Sequence, residues 1–102
     1  MDDATTAAVA RALAHPARLQ ILRLLATQTE CGGSEVFSEL PLAQSTVSEH
    51  LRVLKDAGLV VSHSYGTSML YCLVPDVLDA FATDILVMAR SAVACGTTTK
   101  GC

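Results

Sequence analysis

Pro41-Leu-Ala-Gln-Ser-Thr-Val-Ser-Glu-His-Leu-Arg-Val-Leu-Lys-Asp-Ala-Gly58 is the stretch whose reading decides the fold. Pro41 breaks any helix arriving from upstream, and Gly58 is a natural helix terminator. Between them Val47, Leu51 and Leu54 recur at i, i+4 and i+7, the apolar stripe of a helix over Gln44–Ala57. The first turn carries Gln44, Ser45, Thr46 and Ser48, polar side chains that do nothing for a core. They suit hydrogen bonds to phosphates and base edges when a helix enters a major groove end-on. Taken alone, the stretch also fits an ordinary amphipathic surface helix with a Ser/Thr-rich start for capping, so its neighbours decide.

Upstream, Ser34 is placed to cap a short helix, Glu35–Leu40, with Val36, Phe37 and Leu40 inward, and Pro41-Leu-Ala43 makes a tight turn. A short helix, a three-residue turn and a second helix with a polar start form a helix-turn-helix. Downstream, Leu59–His63 and Ser68–Val74 read as strands across a turn, Ser64–Thr67, that contains Gly66. A hairpin directly after a helix-turn-helix is a wing. This succession favours a DNA-reading helix over an ordinary one.

The flanks are helical. Thr5–Leu13 is Ala-rich and ends at His15-Pro16, and Pro16 opens a second helix, Ala17–Thr27, apolar on most sides and expected to be central. Asp76 is placed to cap a last helix reaching about Ala94, whose Leu78, Phe81, Ile85 and Met88 repeat at helical spacing with few charges opposite. That face is expected to form a dimer interface with the first helix, the alternative being packing within one subunit. The fold class is mainly α with a β-hairpin, a dimeric winged helix-turn-helix in the order α-α-α-α-β-β-α. Residues 1–94 form the DNA-binding and dimerisation domain, and 95–102 a flexible cysteine-containing tail.

The 102 residues fit one domain, 51% of them apolar, with a net charge of −3. That balance opposes nucleic-acid binding, which rests on neutralising phosphates. The opposition is partial, because half of the ten acidic residues, Asp2, Asp3, Asp76, Asp79 and Asp84, lie toward the ends of the chain. Met1-Asp2-Asp3 does not begin a signal peptide, and no apolar run is long enough to cross a membrane. A cytoplasmic protein with no membrane partner is expected. There its four cysteines are thiols or ligands rather than structural disulfides.

Ala14–Leu25, Leu42–Val60 and Tyr65–Tyr71 together resemble the ArsR/SmtB family of small winged-helix repressors, over roughly residues 8 to 75. The resemblance implies a homodimer that binds an imperfect inverted repeat in double-stranded operator DNA and lets go when an inducer binds. It does not name the inducer. Gln44, Ser45, Thr46 and Ser48 match the positions that face the groove, His50 and Arg52 are placed to reach phosphate, and Lys55 less so. His63, Ser64, Tyr65 and Thr67 would present the wing to the minor groove or backbone. The wing has no Arg or Lys, so its salt dependence is expected to be shallow. Glu49 departs from the pattern, since a carboxylate there repels phosphate.

Cys72 reads as a small apolar residue of a strand. Cys31 lies in a Gly-flanked loop, while Cys95 and Cys102 bracket a pliable Gly-Thr-Thr-Thr-Lys-Gly segment. Three thiolates on pliable backbone suit a soft, thiophilic centre, and a tetrahedral zinc site wants four ligands. The expected metal set is therefore Cys31, Cys95 and Cys102 on As(III) or Sb(III), as inducer and not as a resident cofactor. The Cys-x-Val-Cys pair of the best-known arsenic repressors is absent, with Val36 and Ser38 in its region. A thiol redox or persulfide sensor and a Cd, Pb or Zn sensor stay open as alternatives. No nucleophile motif or phosphate loop points to an enzyme.

Overall fold

A computed structural model describes residues 1–28 and 31–92. The chain runs α1 (Asp3–Leu13), α2 (Pro16–Ala26), a 3-10 turn (Ser34–Phe37), α3 (Gln44–Asp56), β1 (Val60–Tyr65), β2 (Ser68–Leu73) and α4 (Pro75–Ser91). Three helices pack on one another, the hairpin leaves the end of α3, and α4 returns to lie against α1.

The core is aliphatic. Ile21, Leu54, Leu59, Val9 and Val60 are its largest fully buried side chains, one each from α2, α3, the turn after α3, α1 and β1. Burying each contributes about 1.5–3 kcal/mol. The stripe expected on α3 is the buried one: Val47, Leu51 and Leu54 all face inward. Among the described residues no polar side chain is buried.

Where α3 stops, the backbone determines where the wing goes. Gly58 takes φ +80°, a conformation that costs a residue with a Cβ roughly 1–2 kcal/mol. The Gly58 amide then donates to the Lys55 carbonyl at 2.9 Å, and the Leu59 amide to the Leu54 carbonyl at 3.0 Å. This is a Schellman cap, completed by apolar contact between its two ends, Leu54 and Leu59, which are both fully buried. Capping and core burial thus aim β1 out of the domain together.

β1 and β2 pair antiparallel from Val60 opposite Leu73 to Tyr65 opposite Ser68. The far edge of β2 is also occupied, because Gly32 forms an isolated antiparallel bridge to Tyr71. A Cβ at Gly32 would stand 2.5 Å from Val36 Cγ2, so only glycine lets the loop approach β2 this closely.

Several boundaries differ from the sequence reading. α1 begins at Asp3, because Asp2 accepts from the Thr5 amide at 2.8 Å and caps it. The short helix of the helix-turn-helix is a 3-10 turn, Ser34–Phe37, with Gly33 rather than Ser34 at its cap. Asp76 lies in the first turn of α4, which Pro75 opens and no side chain caps. Leu19 of α2 is exposed rather than central. The tail 95–102 lies outside the described residues.

Candidate nucleic-acid interface

The interface begins with what α3 leaves uncovered. Ala43 occupies its N-cap and cannot cap with a side chain, so the helix presents the positive end of its dipole and unpaired amides to whatever lies ahead. Gln44, Ser45, Thr46 and Ser48 are exposed around that end, while Val47 points into the core. Ser45 and Thr46 lie on the side of the helix away from the apolar stripe, while Gln44 and Ser48 border it beside Val47 and Leu51. A cavity of about 320 Å³ separates α3 from the 3-10 turn, with Phe37, Val47, Leu51 and Tyr71 in its wall and Gln44 and Ser48 at its mouth.

Two residues grouped with these in the sequence are placed differently. His50 is half-buried and turned toward α2, where its Nδ1 accepts from Arg18 Nε at 3.3 Å and its ring lies 4.5 Å from that of His15. Arg18 also donates from Nη1 to the Arg11 and Ala12 carbonyls at 3.1 and 3.4 Å. Arg18 is therefore a strut from the carbonyl end of α1 to α3, and His50 is its far anchor. Burial, then the neighbouring charges of His15 and Arg18, push the His50 pKa down, against a smaller upward pull from Glu49. A neutral imidazole held this way orients α3 and offers phosphate no charge.

Arg52 is exposed but already engaged. It forms an ion pair with Glu49 and lies 3.6 Å from Asp56. The Arg52 hydrogen bond and charge hold the Glu49 carboxyl below its usual range. Glu49 thus occupies the guanidinium that phosphate would need, and Lys55 is the other exposed cation on the helix. The wing carries His63 and Tyr65 exposed near its tip, Tyr65 to 72%. Gly66 turns the hairpin at φ +62°.

The cysteines are arranged in a way their spacing does not show. Cys31 and Cys72 are joined by a disulfide, with their Cα atoms 4.5 Å apart. Cys72 is therefore not the solitary apolar strand residue expected; the Gly32–Tyr71 bridge places it opposite Cys31. Cys95 and Cys102 lie outside the described residues. Among the described residues no three potential ligands cluster as a metal site, and no helix is long and apolar enough to cross a membrane. Sequence reasoning missed Arg18 and Cys72 as interacting residues. His50 carried a usable signal: it stands three residues after Val47 and four before Leu54, on the inward stripe.

Comparison with known proteins agrees with this geometry. The family described as "Bacterial regulatory protein, arsR family" matches residues 15–62. An uncharacterized helix-turn-helix transcriptional regulator of Mycobacterium tuberculosis is 37% identical over 81 residues, 78% of this chain and 71% of that protein. One from Methanocaldococcus jannaschii is 39% identical over 70 residues, covering 69% and 79%. A solution structure from Mycobacterium bovis, described as a homodimeric winged helix-turn-helix DNA-binding domain, superimposes with a TM-score of 0.66 at 31% identity over 92% of both chains.

Proposed function

The chain belongs to the arsR family of bacterial regulatory proteins, and from that premise we propose that it is a cytoplasmic homodimeric repressor that grips an imperfect inverted repeat in operator DNA. The observation that carries this reading is the two-sided α3. Its N-terminal turn is polar, exposed and uncapped, and its Val47, Leu51 and Leu54 stripe is fixed in the core. That is what a helix needs to enter a major groove end-on with its angle held. Gln44 offers a bidentate partner for adenine, and Ser45, Thr46 and Ser48 offer hydroxyls to bases or phosphates. The uncapped amides suit phosphate.

The dimer reading rests on α4. Ile85, Leu86, Val87 and Met88 are 41–64% exposed in the single chain, an apolar surface that association would remove from water. The homodimeric relative of similar fold supports it. A two-fold dimer reads a two-fold operator.

For the inducer we propose As(III) or Sb(III) bound by the thiolates of Cys31, Cys95 and Cys102, three soft donors for a thiophilic centre. Capture of Cys31 would pull on the loop that feeds the helix-turn-helix and shift the population toward a dimer that no longer matches the operator. Cys31 serves this way only when its bond to Cys72 is open. Fluorescence anisotropy on DNA from upstream of the protein's own gene tests both parts. Reduced wild type should bind and be released by arsenite, and Cys95→Ser and Cys102→Ser should bind and stay bound. Arsenite release in both variants overturns the inducer set; absence of a specific complex overturns the operator reading.

A further inference from the structure

Cys31 and Cys72 occupy directly opposed positions in an antiparallel pair. Gly32 and Tyr71 exchange both backbone hydrogen bonds, at 2.9 and 2.8 Å. The next opposed pair out is then a narrow, non-hydrogen-bonded one, for which a Cα separation near 4.5 Å is the norm, and 4.5 Å is what Cys31 and Cys72 show. That value is also within the range a disulfide spans. The backbone bridge and the tight seat of Gly32 against Val36 therefore hold the two sulfurs in reach of each other whether or not they are bonded. Both side chains are half-buried, and both line a cavity of about 260 Å³ with Gln28 and Pro75 also in its wall. A small oxidant can reach them there.

We propose that Cys31 and Cys72 form a reversible thiol modification site, closed by a peroxide and opened by a dithiol reductant, that couples the wing to the helix-turn-helix and so sets operator affinity. The coupling rests on the operator-binding reading; the thiol chemistry does not. One thiolate attacks the peroxide, an S–O bond forms as the O–O bond breaks, and the departing hydroxide leaves as water. The second thiolate attacks the sulfenic sulfur, the S–S bond forms, and hydroxide again leaves and is protonated. The sulfurs lose two electrons in all and the peroxide gains them. A dithiol returns two electrons and two protons through a mixed disulfide. In a DNA-bearing compartment such disulfides are transient and sensory rather than structural.

The output follows from what flanks the pair. Tyr71, adjacent to Cys72, meets Phe37 of the 3-10 turn edge-on at 6.0 Å between ring centroids. Closing the bond clips β2 to the loop that enters the helix-turn-helix, fixing the wing relative to α3. Preorganisation of that kind tightens binding, and the closed form also withholds Cys31 from thiophilic ions.

The experiment uses the full chain carrying Cys95→Ser and Cys102→Ser, so that two cysteines remain, together with wild type. Reduced protein is titrated with hydrogen peroxide, digested and mapped by mass spectrometry, then measured by anisotropy on its upstream DNA. A Cys31–Cys72 cross-link that a dithiol reverses is expected in both proteins. In the double variant the oxidised form should bind tighter by roughly fivefold or more, the lower end of ordinary allosteric coupling, and adding Cys72→Ser should abolish that difference. Wild-type cross-links confined to Cys95 or Cys102 overturn the site, and so does sulfinic acid without a cross-link in the double variant. A cross-link with unchanged affinity overturns the coupling. A reversible cross-link in a protein that binds no operator in either form upholds the thiol site and sinks the operator reading instead.

Discussion

Replacing Gly32 by Ala adds one methyl group at a place where the structure has no room. The new Cβ would stand 2.5 Å from Val36 Cγ2, 3.3 Å from Val36 Cβ and 3.4 Å from Leu25 Cδ2. Val36 is β-branched and stiff about χ1, so its methyl cannot swing aside. If the loop stays, overpacking costs about 1–3 kcal/mol, offset by about 0.4–1 kcal/mol from the stiffer unfolded chain. If the loop withdraws, the two hydrogen bonds to Tyr71 are lost at about 0.5–1.5 kcal/mol each. Either route comes to roughly 0–2.6 kcal/mol of net destabilisation, with a midpoint of about 1.3 kcal/mol. Val36→Ala alone leaves a gap and costs about 1–2 kcal/mol. Combined, the two changes relieve each other, so the double variant should be more stable than the sum of the singles predicts by about 1 kcal/mol or more. Urea unfolding of all four proteins, reduced and at one protomer concentration, measures the cycle. A Gly32→Ala variant more stable than wild type by about 0.5 kcal/mol, or strict additivity with Val36→Ala, would refute the close approach of this loop to the wing.

Other outcomes follow from the charges and the surface. His50 has a folded pKa below its ordinary value of 6.5, so the unfolded chain takes up the proton first. The associated stability is complete above that pH and declines as pH falls through it toward the folded pKa; His50→Gln should flatten that decline in urea midpoints measured across the range. Glu49→Ala releases Arg52 for phosphate, and the log–log salt slope of operator binding should steepen by about 0.9 for each additional phosphate that the dimer neutralises; an unchanged slope would show that Arg52 does not meet the backbone. Met88→Glu places a carboxylate at a position 64% exposed in the single chain. It should shift the sedimentation profile from dimer to monomer with little change in helix content, and persistence of the dimer would remove this face from the interface.

Periodicity reports elements that bury a continuous stripe, which is why α3 was legible. Val47, Leu51 and Leu54 define its inward side, and Gly58 ends it because the Schellman cap needs positive φ. The wing was legible for a similar reason, two β-prone runs across a glycine turn. The Cys31–Cys72 bond was not. It joins residues 41 apart through a bridge of one residue on each side, and so short a pairing leaves no repeating pattern to read. The roles of His50 and Arg52 were hidden differently: residue type suggests phosphate contact, but helix phase turns one inward and the acidic neighbours Glu49 and Asp56 occupy the other.

The exposed end of α4 has a consequence for the shape of whatever covers it. Ile85, Leu86, Val87 and Met88 are consecutive, and at about 100° per residue four successive side chains point around most of a helix's circumference. A partner helix lying alongside shields one flank and leaves the others wet. Drying all four would take contacts from several directions at once, more than a single helix laid alongside supplies. A related chain that matched it along one edge alone would fit poorly.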